Sequence, residues 1–377
     1  MQNDVAADGV CSSESVNGSR DVWSCKGSFS SSADHLVIMV HGILGSSSNW
    51  KYGAEQFVKR LPDKVFVHCS ERNMATLSLD GVDVMGERLA DEVLDVIQEK
   101  PNLSKISFVA HSVGGLVARY AIGKLYRPPK EEVKDDISGN GCKEEPRATI
   151  GGLEAINFIT VATPHLGSRG NKQVPFLFGV TAFEKAASYV IHWIFRRTGR
   201  HLFLTDDDVE KPPLQPPLLK RMLEDYEECY FMSALHLFKR RVLYANVGYD
   251  HIVGWRTSSI RRESELPKWG ESLNEKYPHI VYEEHCKACD SEQYETISTE
   301  DDGSSDKLVS WVAHPKSVTL EEELVRGLSR VSWEKVDVSF HNSRLRFAAH
   351  SVIQVKDEFM HTEGADVIQH LIDHFHT

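Results

Sequence analysis

No uninterrupted apolar stretch in the 377 residues approaches the ~18 needed for a membrane-spanning helix, so the sequence predicts a soluble or peripherally bound chain. Positive charge is scarce. Lysine and arginine number 43 against 55 aspartates and glutamates, a net charge of -12, which excludes nucleic acid as the main partner because phosphate binding needs a basic face. Cysteines are few and odd in number, seven at positions 11, 25, 69, 142, 229, 286 and 289, and show no framework spacing. The N-terminus has no charged segment leading into an apolar one. Together these point to a reducing, cytoplasmic setting. Internal repeats are lacking, and no motif calls for a cofactor.

Residues 1–34 carry nine serines and scattered acids with few apolar side chains, a composition that cannot offset its ordering entropy, so a disordered tail is expected. From 35 to 377 we expect one domain. Short apolar runs at 36–40, 65–69, 106–110, 156–161, 242–247 and 336–340 read as strands buried on both faces. Helical spacing at Leu89, Val93, Leu94, Val96 and Ile97, and again from Gly364 to Phe375, separates or follows them. Strands alternating with helices imply an α/β fold with a mostly parallel sheet flanked by helices.

Three insertions interrupt that plan. Arg127 to Arg147 is charged and rich in Pro and Gly, a solvated loop. From about 170 to 239 a helical cap is expected, with Phe183, Ala187, Val190, Ile191 and Ile194 at helical spacing. Its Trp193, Phe195, Arg196, Arg197 and Arg200 suit a membrane or droplet surface. The third, about 256–330, holds the acidic run Asp290 to Asp306 and a capping box at Thr319 and Glu322 that opens a short helix, and is expected to be partly disordered.

Ala110-His111-Ser112-Val113-Gly114-Gly115 sits between a strand and a helix and reads as a nucleophile elbow. There the serine occupies a strained apex and small residues two before and two after it avoid clashes, as Ala110 and Gly114 do. Ester cleavage by a serine also needs a base, a carboxylate to orient it, and amides for the oxyanion. Asp250, at the tip of the 242–247 strand, is the candidate acid; a turn-capping role is the competing reading. The base should lie between the last strand and the last helix, which leaves His341, His350 and His361. His350, mid-loop, is the choice and His361 the alternative. Ile43, in the glycine-rich turn His41 to Gly45, and Val113, after the serine, are candidates for the oxyanion amides. His285, Cys286 and Cys289 have partial zinc-ligand spacing but no second paired motif, so no metal site is assigned.

Val40-His-Gly-Ile-Leu-Gly45, Ala110 to Gly115, Ala162-Thr-Pro-His-Leu-Gly-Ser168, Arg197 to Asp206 and Ala349-His-Ser-Val-Ile-Gln-Val355 together resemble the eukaryotic serine esterase, lipase-like family of α/β-hydrolases. That family includes yeast lipid-droplet phospholipases, monoacylglycerol lipases and many plant proteins. The resemblance covers about residues 36–377. It implies an α/β-hydrolase fold and a serine hydrolase of lipid esters, with Ser112 as nucleophile, Asp250 as acid and His350 as base. His165 is expected to be structural. Thioester cleavage on acyl-proteins or acyl-CoA, and a catalytically silent binding protein on the same fold, are the other readings.

Overall fold

The computed structural model describes residues 33–129, 147–168, 195–207, 215–226, 228–270, 274–289 and 319–377. The expected tail up to residue 32, most of the 127–147 loop, the 183–194 portion of the expected cap with Trp193, and the acidic run 290–306 lie outside these residues.

Seven strands form the central sheet: β1 His35–Val40, β2 Val65–Cys69, β3 Lys105–His111, β4 Glu154–Val161, β5 Arg240–Asn246, β6 Ile280–Cys286 and β7 Trp333–Val338. Their order is β6-β7-β5-β4-β3-β1-β2. Every neighbouring pair is parallel except β6 with β7. Because side chains alternate along a strand, Leu36, Ile38 and Val40 of β1 enter one core while Val37 and Met39 enter the other. The continuous apolar runs thus reflect a sheet covered on both faces. On the first face lie α2 Val82–Glu99, α3 Gly114–Leu125, α4 Phe231–Leu237 and α5 Leu320–Leu328. The second is covered by α1 Lys51–Arg60 and α6 Ala365–Asp373. This is the α/β-hydrolase arrangement.

Strand order reverses at β1, with β2 on one side and β3 on the other. The chain therefore leaves β1 and β3 in opposite directions, and the gap between their following loops is where such sheets bind ligands. The His41–Gly45 turn and the Ser112 elbow flank that gap.

The described parts of two insertions contribute to the core. The segment 256–330 contains β6, an edge strand whose exposed Glu283, Glu284 and His285 hide it from a search for apolar runs, and α5, whose Thr319 hydroxyl accepts from Glu322 N at 3.3 Å. Glu322 does not complete a box. Its carboxylate pairs with Arg262 and Arg326 instead. The end of the 170–239 range is also core: Phe231, Ala234 and Leu235 of α4 are buried against α3, with the rings of Phe231 and Tyr120 5.3 Å apart. Helical residues 195–202 seat on the start of α2. The first amides of a helix lack internal partners; here Gly81 N donates to Thr198 Oγ1 at 3.0 Å and Val82 N to His201 Nδ1 at 3.0 Å. Arg197 is paired with Asp83. Much of the Arg197 to Asp206 motif thus serves to anchor and cap.

Candidate active site

Ser112 stands at the turn from β3 into α3 with φ of +55°, a left-handed conformation that is costly for a residue with a Cβ. Neighbours enforce it. Ser112 N donates to Val161 O of β4 at 2.9 Å. A Cβ at Gly114 would lie 2.5 Å from His41 O and 2.8 Å from Val40 O, so only glycine lets the elbow pack this closely on the end of β1. Ala110 is fully buried between β1 and β4.

The structure brings Ser112, His350 and Asp250 together from three loops at one edge of the sheet. His350 Nε2 is 3.0 Å from Ser112 Oγ, and His350 Nδ1 is 2.9 Å from Asp250 Oδ2. His350 belongs to a short helical turn, Ala349–Val352. Asp250 Oδ1 accepts from Ile252 N at 3.0 Å and Val253 N at 2.8 Å, and Oδ2 accepts from Asn246 Nδ2 at 2.9 Å. Burial by itself would raise the Asp250 pKa, but the neighbouring His350 charge and these hydrogen bonds outweigh it and hold the carboxyl below its usual range. With its lone pairs so engaged, the carboxylate fixes the His350 tautomer that carries the proton on Nδ1.

The other candidate histidines are occupied elsewhere. His361 Nδ1 accepts from Asp357 N at 3.1 Å, and His341 Nδ1 is 2.7 Å from Ser339 Oγ. His165 is buried, its Nε2 2.9 Å from Thr160 Oγ1.

Ile43 and Val113 occupy the two loops that flank Ser112. The Ile43 turn is fixed by Gly45 N donating to Gly42 O at 3.1 Å and by the His41 ring bonding the same carbonyl at 2.8 Å. Leu44 N next to it donates to Ser78 Oγ at 2.7 Å. Val113 caps the N-terminus of α3, where the helix dipole favours negative charge. Neither the Ile43 nor the Val113 amide donates to a protein acceptor among the described residues.

Sequence reasoning missed two supporting residues. His111 Nε2 donates to His350 O at 2.7 Å, its ring 4.6 Å from that of His350. Burial, reinforced by the like charge of His350, pushes His111 far below the ordinary histidine range and keeps it neutral. Asn246, at the end of β5, orients Asp250. A polar residue terminating each buried strand was the available signal. Cys286 and Cys289 are free and partly exposed, and no group of three His, Cys, Asp or Glu side chains among the described residues could hold a metal ion.

The strained serine, its histidine and carboxylate, and the flanking glycine-rich turn coincide with a recognised sequence family. The family described as "Putative serine esterase (DUF676)" matches residues 30–260, more than half of the chain. The chain belongs to this family. Members with similar sequence include "Putative lipase C4A8.10" of Schizosaccharomyces pombe, 30% identical over 247 residues covering 63% of this chain and 27% of that protein. "Putative lipase ROG1" of Saccharomyces cerevisiae is 30% identical over 241 residues, 60% of this chain and 28% of that protein. The esterase-family chain thus spans under a third of the length of either relative. Among solved structures, the phospholipase PlaB of Legionella pneumophila aligns at 16% identity and TM-score 0.32, covering 57% of this chain and 38% of that one. A likeness that low adds nothing to the topology described above.

Proposed function

We propose that this esterase-family protein hydrolyses carboxylic esters of lipids through an acyl-enzyme on Ser112, with His350 as base, Asp250 as its orienting carboxylate, and the amides of Ile43 and Val113 as oxyanion donors. The observation that carries the reading is the continuous hydrogen-bonded series from Ser112 Oγ through the His350 ring to Asp250, at 3.0 and 2.9 Å, on a serine with positive φ. His350 Nε2 takes the hydroxyl proton as Oγ attacks the carbonyl carbon, and the resulting oxyanion falls to the two amides. His350 then gives the proton to the departing alkoxide, leaving the acyl group on Ser112. Water attacks this ester in turn, its proton again passing to His350, and the acid is released with Ser112 restored. No step needs a metal or cofactor.

Lipid as the ester class is supported by the relatives described as lipases. It brings with it action at a membrane or droplet surface. The test is turnover of aryl esters from acetyl to palmitoyl by wild type and Ser112→Ala, with fluorophosphonate labelling of both. Labelling and turnover that vanish together in the variant, with a maximum at long chains, are expected. Unaltered turnover in Ser112→Ala, or no labelling of the wild type, would overturn the assignment.

A further inference from the structure

Nine large apolar side chains are exposed among the described residues, and eight of them lie in loops that follow β1, β2, β5 and β7. These strands are parallel, so all eight emerge at the edge that carries Ser112. Phe347 is 65% exposed, Ile252 56%, Phe359 84% and Met360 61%. They are organised around the site. The Phe347 ring lies 5.6 Å from Tyr249, edge-on, and stacks on His251 at 5.9 Å, so it packs on the two residues that flank Asp250 in sequence. The turn bearing Phe359 and Met360 is tied to the same edge by Lys51, at the start of α1, which pairs with Glu358 at 2.8 Å.

The charge beside Phe347 opposes that of the whole chain. Between His341 and Phe347 there are two arginines and no acid, although the protein carries -12 overall. The Arg346 guanidinium lies over the Tyr249 and Phe347 rings at 5.4 and 5.1 Å. Two of the nearby acids are engaged: Asp357 accepts from the amides of Phe359 and Met360, and Glu358 holds Lys51. Exposed Phe, Ile and Met beside cations suit neither bulk water nor an uncharged apolar partner. Apolar groups that sink into acyl chains, with cations at headgroup level, suit an anionic bilayer surface.

We propose that the loops around Asp250 and His350 dock on an anionic lipid bilayer, with Ile252, Phe347, Phe359 and Met360 entering the acyl layer and Arg344 and Arg346 meeting headgroup phosphates. Docking there brings the edge that carries Ser112 to the bilayer, so that an ester can pass from membrane to site without crossing water. The choice of lipid as occupant rests on the ester-hydrolase reading above; the surface itself is tested without catalysis.

The experiment is sedimentation of the full chain with vesicles of phosphatidylcholine alone and of phosphatidylcholine with about one-third phosphatidylserine. Wild type and Ser112→Ala should bind the anionic vesicles equally and the neutral ones more weakly. Phe347→Ser and the double variant Arg344→Glu/Arg346→Glu should each bind at least about tenfold more weakly. Leu94→Ser, which alters the exposed apolar residue on α2, should bind as wild type. Should Phe347→Ser fail to fold, Phe359→Ser carries the same expectation from a separate turn. Wild type that stays in the supernatant, or patch variants that bind as well as wild type, would overturn docking; so would self-association that Phe347→Ser abolishes in the absence of vesicle binding. Equal binding to both vesicle types would overturn the role given to the arginines. Vesicle binding as expected in a protein that cleaves no ester would leave the surface standing and remove the hydrolase reading.

Discussion

A Cβ placed on Gly42 would lie 2.9 Å from the Cβ of Ser112 and 3.4 Å from its Oγ. The turn after β1 and the elbow after β3 are packed so closely that one methyl group forces them apart. Gly42→Ala is therefore expected to lower kcat/KM by about a hundredfold or more, the scale of losing an oxyanion donor, with the circular dichroism spectrum unchanged. Turnover within twofold of wild type would show that the two loops yield more easily than this packing implies.

Strain at Ser112 can be separated from chemistry by comparing two inactive variants. Ser112→Ala and Ser112→Gly both remove the hydroxyl, and only alanine keeps a Cβ at φ of +55°. Denaturant unfolding should find Ser112→Gly more stable by about 1 kcal/mol. The reverse order would mean that the elbow is not strained.

Acid sensitivity should come partly from His35, far from the site. Ser107 Oγ accepts from Asn157 N and Nδ2 at 3.0 and 2.9 Å, so its own proton goes to His35 Nε2, 2.7 Å away. His35 is thereby held neutral, and burial, then the Lys105 charge, lower its pKa from 6.5 to about 4. Below pH 6.5 the unfolded chain binds this proton and the folded chain does not, so stability falls as pH drops from 6.5 towards 4 and the loss levels off beneath that. The share of one such histidine is roughly 3 kcal/mol. His35→Gln should flatten this limb of a stability–pH curve; an unchanged slope would exclude His35 as its source.

A buried ion pair secures the loop that presents Asp250. Arg261 Nη1 donates to Asp337 of β7 at 2.8 and 3.0 Å, and Trp255 Nε1 donates to the same carboxylate at 2.7 Å. Asp337 is fully buried, and burial raises its pKa despite the opposing Arg261 charge. Arg261→Met should cost about 3–5 kcal/mol in urea unfolding, whereas Arg261→Met/Asp337→Leu should recover much of that, because a lone buried charge costs more than a missing pair. A double variant as unstable as the single would count against this account.

The parallel strands were legible because burial on both faces demands unbroken apolar residues, and five of the six expected runs fall within one or two residues of the observed strands. The run expected at 336–340 begins earlier, at Trp333, since pairing with β5 and β6 sets its limits. β6 itself was not legible. An edge strand with one solvated face needs no apolar run. Arg197 to Asp206 was recognised as a motif, but its work of capping α2 depends on a helix more than a hundred residues earlier in the chain.

By itself the sequence determined what sterics and burial impose locally: which runs enter the sheet, and where a serine must turn sharply between small neighbours. It narrowed the histidine to one loop and placed an acid at a strand tip. Only the tertiary structure decided that His350 and not His361 meets Ser112, across 238 positions, and that Asp250 meets His350 across 100. The reason is physical. Sterics act between adjacent residues and leave a pattern in the chain, whereas a hydrogen bond between loops exists only once the strands beneath them have fixed their register.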